Sequence, residues 1–272
     1  MQYNPSDNAL AARERESKDS TTLVEHLSSQ RKFQLEHYFG NDPRMFELEK
    51  KYGKYLMVPL AIPKFELEDS EHFVDWYFKH AIRPIKQKGD YVAPDTGFSP
   101  FYSVDLIQEV GDDWNLNMQT DNFKKEFPKL WAQFHETLPV QKILTLNLWS
   151  SVWDFGEHRD SAEMWDCPNS FRIPLYDENP SNTLFVMDNP TKNYKVEETH
   201  FLPNLEDTNT FMWNNLRCMH GSKKLEEHKK IMAVVIALID PEKYDEVMSK
   251  SIEKYKDHCL VSKYSLENYV NV

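Results

Sequence analysis

Two β-patterned runs restrict what this 272-residue chain can fold into. Residues 143–149 alternate apolar with polar or small side chains, the period-two signature of a half-buried strand. Residues 229–239 are longer, rich in β-branched side chains and apolar beyond the two leading lysines, and predict a buried strand. Between the runs lie two short histidine motifs, His158-Arg159-Asp160 and His220-Gly221-Ser222. The first follows Phe155-Gly156-Glu157, which brings His158 onto a strand edge or turn.

Strand side chains alternate in direction, so His158 and Asp160 are expected to point one way and Arg159 the other. Two imidazoles and one carboxylate can occupy one face of a metal and leave the remaining positions open to a cosubstrate and dioxygen. His158, Asp160 and His220 are therefore the candidate metal ligands. Residues 211–220 form an apolar run broken at Asn214-Asn215, which places His220 near a turn between strands. His200 and His228 are rival third ligands; the first precedes the 207–215 stretch, and the second stands in a charged run with Glu226, Glu227 and Lys229. Lys230, ten residues past His220, is a cation able to enter the same cavity, with Lys229 as the competing choice because neighbours on a strand face opposite sides.

With these residues in view, the chain resembles the Fe(II)- and 2-oxoglutarate-dependent oxygenases, whose ligands are His-x-Asp/Glu and a distal His. Residues 170–175 after the first motif and 207–215 before the distal histidine are similar to the aspartyl/asparaginyl β-hydroxylase-like group. The resemblance covers about residues 140–240. It implies a mainly β fold with flanking helices, a double-stranded β-helix or cupin-like jelly-roll barrel. It also implies that iron is held by His158, Asp160 and His220, with 2-oxoglutarate and O2 in the remaining positions and ascorbate as an assay reductant. Arg172 matches an arginine that contacts the cosubstrate in related enzymes. Lys230 matches the position usually held by an arginine that grips the far carboxylate, and lysine there offers a point charge in place of a bidentate fork. Many aspartyl/asparaginyl hydroxylases carry glycine at the second ligand position. Asp160 fills it here, which favours hydroxylation over halogenation and leaves desaturation and ring closure as alternatives.

A net charge of −12 disfavours nucleic acid as a partner and suits a small-molecule substrate. Cys167, Cys218 and Cys259 are widely spaced and form no CxxC pair, which argues against a disulfide framework or zinc knuckle and fits a reducing, cytoplasmic setting. No apolar run approaches a membrane span and the N-terminus has no hydrophobic signal segment, so no membrane partner is expected.

Residues 1–20 are polar and expected to be flexible, with 21–272 forming one oxygenase domain: a helical and loop buttress over about 21–140, a barrel core over about 141–240, and a C-terminal helical segment over 241–272. In the buttress, a short strand is predicted at 57–63, a helix opening at Asp69 and running through Ile82, and a second helix over 122–137. Residues 91–103 read as a loop whose Asp95, Tyr102 and Ser103 are candidate substrate contacts. Trp149, Trp153 and Trp165 surround the first motif and are candidate pocket walls. The amphipathic C-terminal segment is a covering helix or an oligomer contact. Hydroxylation of a free amino acid or other small metabolite is the leading reading. The alternatives are a peptidyl side-chain hydroxylase and a cupin-type binding or isomerase protein without 2-oxoglutarate.

Overall fold

The computed structural model describes residues 44–82, 101–108, 118–151, 155–158, 170–178, 184–188, 200–214, 218–222 and 229–264. In chain order the elements are α1 (Arg44–Tyr52), β1 (Tyr55–Pro59), α2 (Ser70–His80), β2 (Phe101–Gln108), α3 (Thr120–Glu126), α4 (Pro128–Thr137) and β3 (Val140–Ser151). There follow β4 (Phe155–His158), β5 (Ser170–Asp177), β6 (Leu184–Asp188), β7 (His200–Phe201), β8 (Phe211–Trp213), β9 (Cys218–Ser222) and β10 (Lys230–Ile239). Helix α5 (Pro241–Lys254), a 3-10 turn and β11 (Leu260–Val261) close the series. The predicted flexible N-terminus and the candidate contact Asp95 lie outside the described residues.

The strands form a seven-stranded sheet, ordered β11-β1-β8-β5-β10-β3-β2, and a four-stranded sheet, ordered β4-β9-β6-β7. From β3 to β10 the chain changes sheet at each step except the antiparallel pair β6–β7. That alternation is the double-stranded β-helix, and every pairing between its strands is antiparallel.

Strand β10 explains the layering. Its residues Ile231, Ala233, Val235, Ala237 and Ile239 belong to the larger core, together with Phe73, Tyr77, Phe123, Phe134, Tyr244 and Met248 from the helices. Met232 and Val234 face the other way, into a second cluster with Leu202, Phe211, Trp213 and Cys218 between the sheets. A strand covered on both faces has no polar side to present, hence its unbroken apolar run.

The predicted helix over 122–137 is two helices. Pro128 disfavours the α conformation in the residue before it, and Phe127 accordingly sits at φ −129°, ψ 58° between α3 and α4. The aromatic spacing survives the break, since Phe127 packs against Phe73, Trp76 and Phe123. The predicted loop at 91–103 also ends differently. Tyr102 and Ser103 belong to β2, where Tyr102 is exposed and Ser103 is buried.

Helix α2 starts where Asp69 accepts a hydrogen bond from the His72 backbone N–H at 2.9 Å. Helix α5 starts where Asp240 accepts from the N–H groups of Glu242 and Lys243, with Pro241 in the first turn needing no partner. Its apolar stripe of Tyr244 and Met248 is buried in the larger core, so α5 is a covering helix. Helix α1 docks on it through Tyr52, whose hydroxyl donates to Asp245 Oδ1 at 2.6 Å. Strand β11, unmarked in the sequence, pairs with β1. Among the described residues no helix is long and apolar enough to cross a membrane.

Removing the cap should be felt through the whole outer layer. Asp240→Ala is expected to lower the unfolding free energy by about 1 kcal/mol, measured as a lower urea midpoint at unchanged slope.

Candidate metal and cosubstrate site

The four-stranded sheet decides which histidines are paired across strands. His158, last residue of β4, is paired directly with His220 of β9, and opposed positions in an antiparallel ladder lie on one face of the sheet. His220 is thus within a strand, not at its turn, because pairing continues past it to Ser222 on both sides. On its other flank His220 is opposite Val186, which is opposite His200. The rival ligand His200 therefore shares the row but stands two strands away, about 9–10 Å between backbones. Asp160 and His228 lie outside the described residues. Among the described residues no group of three or more His, Cys, Asp or Glu gathers for a metal.

His220 is 6% exposed, and its Nδ1 donates to the carbonyl of Cys218 at 3.1 Å. In the neutral ring that bond selects the tautomer whose lone pair is on Nε2, the arrangement in which imidazole binds a metal. The ring stands edge-on to Trp213, centroids 5.2 Å apart at 88°. An imidazole held through Nδ1 by a backbone carbonyl, with a second histidine paired directly across the ladder, fits divalent iron in its donor chemistry.

Arg172, on β5, is nearby and also buried. Its guanidinium donates to Ser170 Oγ and lies 5.8 Å from the Trp213 ring centre, so Trp213 is bounded by both the cation and His220. Lys230 is on the same inner face but four residues along β10, since Val234 pairs with Arg172 and Lys230 with Asp177. Its Nζ is 3.8 Å from Asp177 Oδ2, both side chains being 6% exposed, at the wall of a cavity of about 500 Å³ that Phe65, Leu67, Leu202 and Phe211 also line. Burial drives the Lys230 pKa down to about 8, against the opposing pull of Asp177. Lys229 is exposed and lies 5.8 Å from the Phe78 ring, so of the two lysines Lys230 is the inward one.

The inner face of β3 carries polar groups that no motif marks. Ile143, Leu146 and Leu148 belong to the outer core, while Thr145, Asn147 and Trp149 turn inward. Thr145 Oγ1 and Asn147 Oδ1 are buried with no hydrogen-bond partner among the described residues, as is Trp213 Nε1. Trp149 stacks on Phe101 at 4.7 Å, whereas Trp153 and Trp165 lie outside the described residues. Ser103, read in the sequence as a loop residue, donates from β2 to Asp105 Oδ1 at 3.0 Å, and both are 5% exposed. The signal was present in the alternation of residues 143–149, but a half-buried strand is normally assumed to turn its polar side to water. Here that side faces the second sheet.

No protein-family model and no curated protein matches the chain. Among solved structures, it is similar to the non-heme alpha-ketoglutarate-dependent epimerase SnoN from nogalamycin biosynthesis, at 13% identity and TM-score 0.39, over 72% of this chain and 84% of that one. It is also similar to a prolyl hydroxylase from Trichoplax adhaerens in complex with a hypoxia inducible factor peptide, at 10% identity and TM-score 0.37, over 79% and 96% of the two chains. A third is an oxidoreductase of the 2OG-Fe(II) oxygenase family from Burkholderia pseudomallei, at 12% identity and TM-score 0.35, over 70% and 88%.

An unpartnered buried hydroxyl costs about 1–3 kcal/mol. Thr145→Val, nearly isosteric, should therefore leave the ligand-free protein as stable as before or more stable in urea unfolding. A clear loss of stability would reveal a hydrogen-bond partner for Thr145.

Proposed function

We propose that this chain is an Fe(II)- and 2-oxoglutarate-dependent dioxygenase of the aspartyl/asparaginyl β-hydroxylase-like group, hydroxylating a C–H bond of a small metabolite such as a free amino acid or derivative, in a cytoplasmic setting. The observation that carries the reading is the direct cross-strand pairing of His158 with His220. It brings together two residues far apart in sequence that the ligand motif had singled out independently. Bound iron, with 2-oxoglutarate and O2, would supply the oxidising chemistry.

The chain's own residues supply binding, orientation and dryness. His158, Asp160 and His220 are the proposed ligands, with the Cys218 carbonyl holding the His220 ring in its metal-binding tautomer. Arg172 and Lys230 are the proposed partners of the cosubstrate's carboxylates, Arg172 on the side of Trp213 and His220 and Lys230 further along the barrel wall. Their burial strengthens a charge-assisted contact, because little water competes for either cation. The apolar cluster of Leu202, Phe211, Met232 and Val234 between the sheets keeps solvent from this space. In the proposed site Asp160 takes the coordination position that a halide would need, so an oxidised and not a halogenated product is expected.

The direct test is succinate formation from 2-oxoglutarate with Fe(II) and ascorbate, screened over free amino acids and small metabolites. His158→Ala and His220→Ala should each abolish stoichiometric Fe(II) binding in equilibrium dialysis. Retention of iron by both variants would sink the ligand assignment.

Lys230 gives a second, independent readout. Losing a charge-assisted contact worth roughly 1.5–3 kcal/mol, Lys230→Ala should weaken 2-oxoglutarate binding by about ten- to a hundredfold in calorimetric titration. The charge on Lys230 is present below its pKa of about 8 and lost as pH rises through it. Affinity for 2-oxoglutarate should therefore fall above about pH 8, and Lys230→Arg should remove that decline.

A further inference from the structure

We propose that the inner face of β2 and β3 is the pole of the substrate pocket that takes a protonated amine, with Asp105, Asn147 and Thr145 as its acceptors. Which molecule is transformed rests on the oxygenase reading above; the binding of an amine at this face does not.

Register brings the three together. Asp105 is directly opposite Asn147, and Thr145 is two residues further along β3 on the same face, about 7 Å away along the strand. Asp105 and Thr145 are 5% and 2% exposed. Thr145 Oγ1 and Asn147 Oδ1 have no partner among the described residues. A fold avoids buried polar atoms left this way unless a ligand satisfies them; the Asn147 amide oxygen takes only a donor, and the Thr145 hydroxyl can accept from one as well.

Charge selects the kind of donor. A buried carboxylate at Asp105, with the Ser103 hydroxyl donating to its Oδ1 at 3.0 Å, disfavours an anion beside it and favours a cation. An ammonium has three donors and no acceptor, which matches a carboxylate, an amide oxygen and a hydroxyl. The anionic end of a ligand has its partners elsewhere. Arg172 is in the same ladder row as Asn147, on the far side of Val234.

The neighbouring side chains describe the rest of the molecule. Trp149, next inward residue after Asn147, stacks on Phe101, so an apolar or aromatic carbon frame fits beside the amine. In the other direction the Thr145 row continues through Ile236 and Ser170 to Trp213, whose ring meets His220. The amine pole and the proposed metal ligand are thus joined along one row of the barrel wall. The substrate class that follows is a primary amine or amino acid with an apolar side chain.

The test titrates the full chain by calorimetry with 2-phenylethylamine and with free L-leucine, L-phenylalanine and L-tryptophan, each beside its N-acetyl form. At least one free amine should bind, with its N-acetyl form tenfold or more weaker. Asp105→Asn and the fold-preserving Thr145→Val should each weaken the amine by at least tenfold while leaving 2-oxoglutarate affinity unchanged. The proposal is overturned if none of these amines binds, if N-acetylation has no effect, or if neither variant discriminates. Amine binding without succinate formation would support it and count against the oxygenase reading alone. Succinate formation driven equally by amine-free compounds would keep the oxygenase reading and overturn this one.

Discussion

Burial of β10 on both faces is the constraint from which the rest of the architecture follows. Its odd-numbered side chains need helices against them and its even-numbered ones need a second sheet, so the strand is satisfied only in a three-layer arrangement. Two neighbours, β3 and β5, pair along almost its full length, and the shorter β8 and β1 extend the sheet beyond β5. The helices α2 to α5 cover one side. The four short strands of the small sheet cover the other, and the proposed ligands His158 and His220 sit on them because that is where the space between the sheets lies.

The space itself is not uniformly apolar. Near β10 and β8 it is filled by Met232, Val234, Phe211 and Leu202; toward β3 and β2 it is lined by Thr145, Asn147 and Asp105. Thr145 Oγ1 and Asn147 Oδ1 would weaken a purely structural core, since each buried polar atom without a partner costs more than an apolar replacement. Arg172 and Lys230 add two buried cations, one against Ser170 and Trp213, the other against Asp177. A barrel interior polar on one flank and cationic on the other is the feature that supports the charged ligands proposed for it.

Much of this was legible in the chain. The period-two pattern at 143–149 and the apolar run at 229–239 mark β3 and β10, because strand periodicity is a local property of the sequence. The Asn214-Asn215 break marks the gap between β8 and β9 for the same reason. The cap at Asp69 and the start of α5 after Asp240 are equally local. The interruption at Phe127 was also in the sequence, as Pro128, though aromatic spacing on both sides of it imitates a single helix. Strand β11 was not legible, since two residues become a strand only by finding the edge of β1.

The sequence by itself determined the two long strands β3 and β10, the starts of α2 and α5, and which histidines are chemically suited to a metal. It left the third ligand open among His220, His200 and His228 and the inward lysine open between two. Only tertiary structure decided how His158, His200 and His220 are arranged and which lysine turns inward, because both depend on register, and register is set by which strands lie side by side rather than by any residue's neighbours in the chain. Cross-strand pairing put His158 beside His220 and left His200 two strands away. Pairing with β5 turned Lys230 to Asp177 and left Lys229 outside. The same pairing placed the polar residues of β3 between two sheets, where an alternating pattern alone would have put them in water.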